Sequence, residues 1–433
     1  MIKRNNKKGF TIVELVIVIA VIAILAAVLI PTFAGIIRKA NISADTQLVK
    51  NMNTALAADE AINGKPEDFN DVIAIVREAG YVLSCFNPTT EGCYVAWEKE
   101  TNQLLLVDGK KGFEVIYSAK EGYGDPDDSW FFAVDTKEAK DALEAQYTGK
   151  NVNVEMAITT VKGLSDMLAA GGTQEIYIDE SLVLDKDNLL VFDKDGANTT
   201  INLGSAQLNT TGIIDGVVPI QVTSGTVTIN GGVIGAAGSY VDDDGRVVNS
   251  PISTKAGTTV VIDGSEFNIA KDGYAYFGGT ATVKNAVITA TSSMGTYVGG
   301  TSNTTFENTT IKASNRVVWS CGHGSDVATR ATATFKSGTY TGGNASWAAI
   351  VTCGGHVVIE GGNFNSNDGA KLFQLWRNSD GSVGASITIT GGTFNGVDFK
   401  DIKTEADWKA LCNLVHDVKV TITEGKVVLE HAS

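Results

Sequence analysis

The chain has 433 residues, 19% of them charged, 47 glycines and only 6 prolines, with a formal charge of −15. That length suits two or three domains, and the acidic balance excludes a nucleic-acid partner, which would need clustered Lys and Arg. Five sparse cysteines, Cys85, Cys93, Cys321, Cys353 and Cys412, exclude a disulfide-built scaffold.

The first element is a short leader with Lys3, Arg4, Lys7, Lys8 and no acid, followed by an apolar run from Phe10 to Ile30. A helix of that length spans the ~30 Å hydrocarbon core of a bilayer, and the basic leader stays cytoplasmic. Glu14 interrupts the run. An acid near the bilayer centre costs about 3 kcal/mol, so its presence demands a reason. A secretory signal peptide would have a shorter apolar core and a small-residue cleavage site after it. A plain anchor would tolerate Glu14 only through the helix dipole.

Gly9-Phe10 with Glu14 five positions into the run resembles the N-terminus of type IV prepilins and the pseudopilins of type II secretion. The resemblance implies cleavage between Gly9 and Phe10 by a prepilin peptidase, and N-methylation of Phe10 by the same peptidase/N-methyltransferase. It implies that Glu14 neutralises the amino terminus of a neighbouring pilin subunit, and that Pro31 marks a bend in a long assembly helix. Membrane lipid surrounds that helix before assembly. Without the leader's four cations the formal charge becomes −19.

After Pro31 apolar residues recur every three or four positions to Ala61, so one helix of about 50 residues is expected, ended by Asn63-Gly64-Lys65-Pro66. A second helix fits Pro66 to Ala79, stopped by Gly80. Strand-like runs follow at Tyr94–Trp97, Leu104–Val107 and Phe113–Tyr117, reading as an antiparallel meander. The layout resembles small pilin heads as far as about residue 135. Cys85 and Cys93 flank a turn-rich loop, which leaves open a disulfide outside the cell or two free thiols. Asp125-Pro126-Asp127-Asp128 reads as a solvated acidic turn, with a calcium site as the alternative.

Thr136–Tyr147 and Val161–Leu168 read as short helices. Beyond Glu175 the composition turns to Gly, Thr, Asn, Val and Ile, and the chain repeats. Thr226–Ile234, Thr259–Phe267, His356–Phe364 and Ser386–Phe394 share one template, with diverged copies between them. Anchors Ile229, Ile262, Val283, Phe306, Phe335, Ile359, Ile389 and Ile422 each have an apolar partner five residues on. Leu203 and Leu208 fit as an earlier copy. Repeats of this length with an internal strand-turn-strand indicate a β-solenoid. They resemble the right-handed parallel β-helix of pectate-lyase-like proteins and bacterial surface adhesins, with an irregular β-sandwich as the alternative. The helix after Val161 resembles a cap, and Glu405–Leu411 a helical insertion before a final rung.

The expected organisation is a leader (1–9), a transmembrane and assembly helix (10–62), an α+β pilin-like head (63–135), a linker with cap helix (136–174) and an all-β solenoid (175–433). No lyase or hydrolase motif is recognisable, and the acids of the coil are scattered, so no catalytic residue and no cofactor are assigned. Tyr276, Tyr297, Trp319, Trp347 and Trp376 recur on successive copies, with Arg316 and Arg377 beside two of them. Aromatic ladders stack on sugar rings, which makes a polysaccharide a candidate ligand; packing against the coil is the plainer fate of such rings. Cys321, His323, Cys353 and His356 are compatible with zinc, but unequal spacings favour no metal, and a Cys321–Cys353 bridge is the alternative.

The sequence thus predicts a non-enzymatic, single-pass membrane protein with an extracytoplasmic head. Assembly would turn it into a minor or tip subunit of a type IV pilus, displaying a β-helical binding domain at the cell surface. A displayed polysaccharide-degrading enzyme and a secretion pseudopilin are the alternatives.

Overall fold

A computed structural model describes residues 12–112, 114–147, 152–156, 159–178, 180–184, 189–210, 218–235, 238–241, 247–269, 273–291, 294–322, 330–377, 384–413 and 417–431. Gly9, Phe10, His323 and the Asp242–Asp244 turn lie outside these residues. The chain divides into two compact units, residues 1–81 with 85–133 and 144–155, and residues 82–84 with 134–143 and 156–433.

The first unit is built on one helix, Ile12–Asn63, which continues through Pro31. Its large apolar side chains, among them Ile12, Leu15, Ile19, Ile22, Leu29 and Ile37, are exposed. From Asp45 onward one face turns inward, burying Val49, Met52 and Leu56. Polar side chains on that face tie down the head. The Asp45 carboxylate accepts from the Thr89 and Thr90 amides at 2.9 and 3.0 Å. Asn53 donates to the Leu104 carbonyl at 2.8 Å and accepts from the Leu104 amide at 2.7 Å, standing in for a neighbouring strand. Arg38 reaches Asp108 at 2.9 Å.

A second helix runs over Phe69–Glu78, three residues later than its proline suggested. Asp68 and Asp71 form a reciprocal capping box there, and this outweighs Pro66 as the starting signal. The meander appears as strands Cys93–Glu98, Gln103–Asp108 and Glu114–Tyr117, joined by Trp130–Val134 and Asn153–Met156 into five strands. Trp97, Trp130 and Phe132 fill its core.

The second unit is a β-solenoid of eight three-stranded coils. Helix Val161–Ala170 opens it, capped by Thr160, with Leu164 and Leu168 buried in the solenoid's core. Face 1 is the parallel stack that begins with Thr173–Tyr177 and Asn198–Asn202 and ends with Ser386–Ile389. Face 2 follows each of these strands around a tight corner, as in Glu266–Asn268, Val287–Ala290 and Thr309–Ala313. Face 3 is a separate eight-stranded parallel stack from Leu190–Phe192 to Phe373–Trp376.

The anchors stack in register on face 1: Ile201, Ile229, Ile262, Val283, Phe306, Phe335, Ile359 and Ile389. Their partners stack on face 2, from Leu208 and Ile234 through Phe267, Ile288, Ile311, Tyr340 and Phe364 to Phe394. Each such buried side chain contributes about 1.5–3 kcal/mol. Left-handed residues make the corner between the two stacks, among them Asn285, Asn308 and Gly338. At Gly338, with φ +125°, a Cβ would lie 2.1 Å from the Thr309 carbonyl oxygen, so glycine is obligatory there. Side-chain amides continue up this corner, with Asn308 donating to Asn285 at 2.9 Å and Asn285 to Asp263 at 2.7 Å.

Two details of the repeat are corrected. In the early copy the anchor is Ile201, since Ile201 and not Leu203 pairs with Ile229, and a register shift near Gly204 absorbs the difference. At the C-terminal end Ile422 and Val427 form no rung. They face each other directly in an antiparallel hairpin, Val418–Thr423 with Lys426–His431, closed by Glu424-Gly425. A two-residue turn with a left-handed glycine reverses the chain, whereas a coil corner carries it onward. Lys426–His431 pairs antiparallel with Ser386–Ile389, and helix Glu405–Ala410 places fully buried Trp408 against Phe394. Hairpin and helix together end the solenoid.

Candidate binding face and assembly helix

Strand alternation sends every second side chain outward from a coil. On face 3, Val318 and Ser320 point in and Trp319 points out. Parallel register then aligns Tyr276, Tyr297 and Trp319 on three successive coils. The next two coils carry Val351 and Gln374 at that level. The column nonetheless continues, because Trp347 enters from the loop before its strand and Trp376 stands two residues beyond Gln374. All five sequence-predicted aromatics therefore meet on one face.

Ring centroids are 5.4 Å apart for Tyr276–Tyr297, 5.6 Å for Tyr297–Trp319, 6.0 Å for Trp319–Trp347 and 5.7 Å for Trp347–Trp376. Tyr276–Tyr297 and Trp347–Trp376 are stacked, at interplanar angles of 29° and 25°, so these rings cover part of one another's faces, whereas Tyr297–Trp319 and Trp319–Trp347 are tilted at 57° and 37°. Arg316 closes the largest gap, its guanidinium 4.4 Å from the Trp319 ring centre and 4.1 Å from that of Trp347. Gly299 makes room for the tilt, since a Cβ there would lie 2.6 Å from Tyr297 Cε1.

Exposure differs along the column. Tyr297 is only 7% exposed, whereas Tyr276, Trp319, Trp347 and Trp376 are half-buried. Burial and the neighbouring Cys321 thiol push the Tyr297 phenol far above its ordinary range, keeping it neutral. The sequence reading missed Tyr274, which stacks on Tyr297 at 5.3 Å, and Met294, which is buried in the same cluster. The alternation Tyr274-Ala275-Tyr276 was the available signal for the first.

The other sequence candidates are dispersed. Cys85 and Cys93 are buried and unbridged, and so are Cys321 and half-exposed Cys353 unbridged. Cys353 donates to the Arg377 carbonyl at 2.9 Å. His356 Nδ1 lies 2.7 Å from Ser386 Oγ, and burial together with nearby Arg330 depresses its pKa. Among the described residues no three His, Cys, Asp or Glu side chains converge as a metal site. Asp127 is engaged by the Ser129 amide and hydroxyl at 2.9 and 2.6 Å, which lowers its pKa and makes its loop a self-satisfied turn.

At the other end of the chain, Glu14 sits in the first turn of the helix and Pro31 inside it. This helix is long and apolar enough to cross a membrane. An apolar helix led by an acid and continuing into an α+β head defines a class: membrane-anchored subunits that assemble through their N-terminal helices. The family described as "Prokaryotic N-terminal methylation motif" matches residues 4–30. The type IV wide pilus major component PilA4 of Thermus thermophilus is 51% identical over 120 residues, 28% of this chain and 86% of that protein. A fimbrial protein of Moraxella nonliquefaciens is 39% identical over 61 residues, 14% of this chain and 39% of that protein. No solved structure matches. The chain belongs to the type IV pilin family. Its motif implies processing by a prepilin peptidase and assembly with other pilin subunits, and its place is that of a membrane-anchored surface protein.

Proposed function

We propose that this protein is a minor or tip subunit of a type IV pilus whose solenoid binds polysaccharide through face 3. The observation that carries this reading is the column of Tyr276, Tyr297, Trp319, Trp347 and Trp376 on one face. Half-exposed indoles and phenols offer an apolar, polarisable strip of the kind that receives the C–H face of a sugar. The half-exposed rings and the tilted Trp319 between them would take the ligand, while nearly buried Tyr297 supports them.

The role is binding without cleavage. The outward level shared by Tyr276, Tyr297 and Trp319 continues as Val351 and Gln374, with no carboxylate that could serve as acid or nucleophile. A solenoid of some 250 residues is bulky beside a helix radius of a few ångströms, which favours a rare or terminal position over dense repetition along a fibre. The test is retention of the full chain on a panel of insoluble polysaccharides. The double variant Trp319→Ala/Trp376→Ala is expected to lose retention while keeping its β-sheet spectrum. Unchanged retention removes face 3 from the reading, and release of soluble oligosaccharide replaces binding with catalysis.

A further inference from the structure

Face 1 carries a second ordered surface, chemically unlike face 3. Two outward columns rise along it in unbroken register. One column contains Thr228, Val261, Thr282, Thr305, Thr334 and Val358, all β-branched. The other includes Thr226, Thr259, Thr280, Asn303 and Thr332. From Thr200 upward the first column, and from Asn198 upward the second, hold no Asp, Glu, Lys or Arg, although one residue in five of the chain is charged; Glu175 stands below Thr200 on the opening coil. The charges begin one outward position further along the same strands, where Asp263, Lys284 and Glu307 alternate in sign. The hydroxyls of Thr228, Thr282, Thr305 and Thr334 make no hydrogen bond among the described residues, so their bonding capacity faces outward.

The array is regular in two directions, about 4.8 Å between coils and about 6.7 Å between alternate residues of a strand. Thr and Val are stiff at χ1, so hydroxyls and methyls are held in place before any ligand arrives. The ligand follows by elimination. The strip is one pair of columns wide, well short of the ~800 Å² per partner that a stable protein interface needs, which argues against a second copy. The lack of charge above Glu175 argues against an ionic polymer or a membrane headgroup. Neither column contains Phe, Tyr or Trp, so the stacking that sugars use is missing. A neutral solid whose hydrogen-bonding rows repeat at the coil spacing can satisfy the hydroxyls together, while the methyls fit between its rows.

We infer that face 1 binds the surface of crystalline water, ice, through this double column of threonines. The inference is independent of face 3 and of the polysaccharide reading. The test follows fluorescently labelled full chain, solubilised in mild detergent, as it partitions between liquid and a slowly growing ice hemisphere. Wild-type chain is expected to enter the ice above the level of a labelled soluble protein of similar size. Thr282→Lys/Thr305→Lys should reduce entry at least about tenfold, because a neutral lattice cannot compensate a desolvated ammonium. Thr289→Lys on face 2 and Trp319→Ala/Trp376→Ala on face 3 should enter as wild type does. Should the double lysine variant fail to fold, Thr305→Tyr alone, which keeps a β-forming residue, replaces it. Exclusion of wild-type chain from ice, or equal entry of folded face 1 variants, overturns the inference. So does retention on microcrystalline polysaccharide that these face 1 variants abolish.

Discussion

The N-terminal helix and the solenoid solve the hydrophobic problem in opposite ways. Between Ile12 and Ile37 the helix leaves large apolar side chains outside, whereas the solenoid stacks its anchors inward over eight coils and ends them with a helix and a hairpin. The helix is therefore incomplete alone and acquires its environment from lipid or from other pilin subunits. The solenoid's core is closed, and only its outer faces are left uncovered. The two parts of the chain thus differ in which side chains each leaves uncovered, and the proposed binding rests on the solenoid's outer faces alone.

The sharpest way to break this contrast is at the leader. Mass spectrometry of the mature chain should find N-methyl-Phe10 as the first residue, and Gly9→Leu should leave the leader attached. A mature chain starting elsewhere would detach the helix from filament assembly. Within the solenoid, the next largest effect is expected at Gly338. Its left-handed φ and the 2.1 Å approach of Thr309 O make Gly338→Val destabilising by more than about 4 kcal/mol, read as loss of a cooperative melt. Phe335→Ala comes next. Phe335 stacks on Phe306 at 5.0 Å and is fully buried, so its truncation should cost about 3–5 kcal/mol in denaturant titration.

In the first unit the corresponding weak point is a single polar residue. Asn53→Ala leaves the buried Leu104 amide and carbonyl without their partner and should cost about 1–3 kcal/mol, with the solenoid's own transition unchanged. The smallest effect is electrostatic. Lys284 and Asn285 hold the Asp263 carboxyl below its ordinary 3.8. A lowered folded pKa stabilises the protein above 3.8, and the contribution disappears as pH falls through the folded value. Both groups are about a third exposed, so the contribution is below about 1 kcal/mol. Lys284→Ala should therefore lower the solenoid's stability by up to that amount near neutrality and leave it unchanged well below the folded pKa, which flattens the acid limb of the stability curve.

Much of this protein is determined by local order in its sequence. Processing and anchoring are contiguous properties: Gly9-Phe10, Glu14 and an unbroken apolar run have their meaning without any partner from elsewhere in the chain. The solenoid was also legible, because each coil repeats a short local rule, an inward anchor, a left-handed corner and an inward partner. That rule failed where local pattern and strand pairing part company. Ile422 and Val427 keep the five-residue spacing, yet Glu424-Gly425 turns the chain back, and only the antiparallel pairing of Val427 with Ile422 and with Ile389 shows a hairpin in place of a coil.

The tertiary structure alone decided which side chains meet. Tyr276 and Trp376 are a hundred residues apart, and Trp347 lies outside any strand; their recurrence on successive copies suggested a ladder, but coil register and a loop are what bring the rings into contact. Likewise, the threonines of face 1 read as ordinary strand formers one coil at a time. They become a lattice only because parallel register sets each above the last. A sequence states what each residue prefers to be, but a surface depends on distances between residues that the chain brings together only by folding.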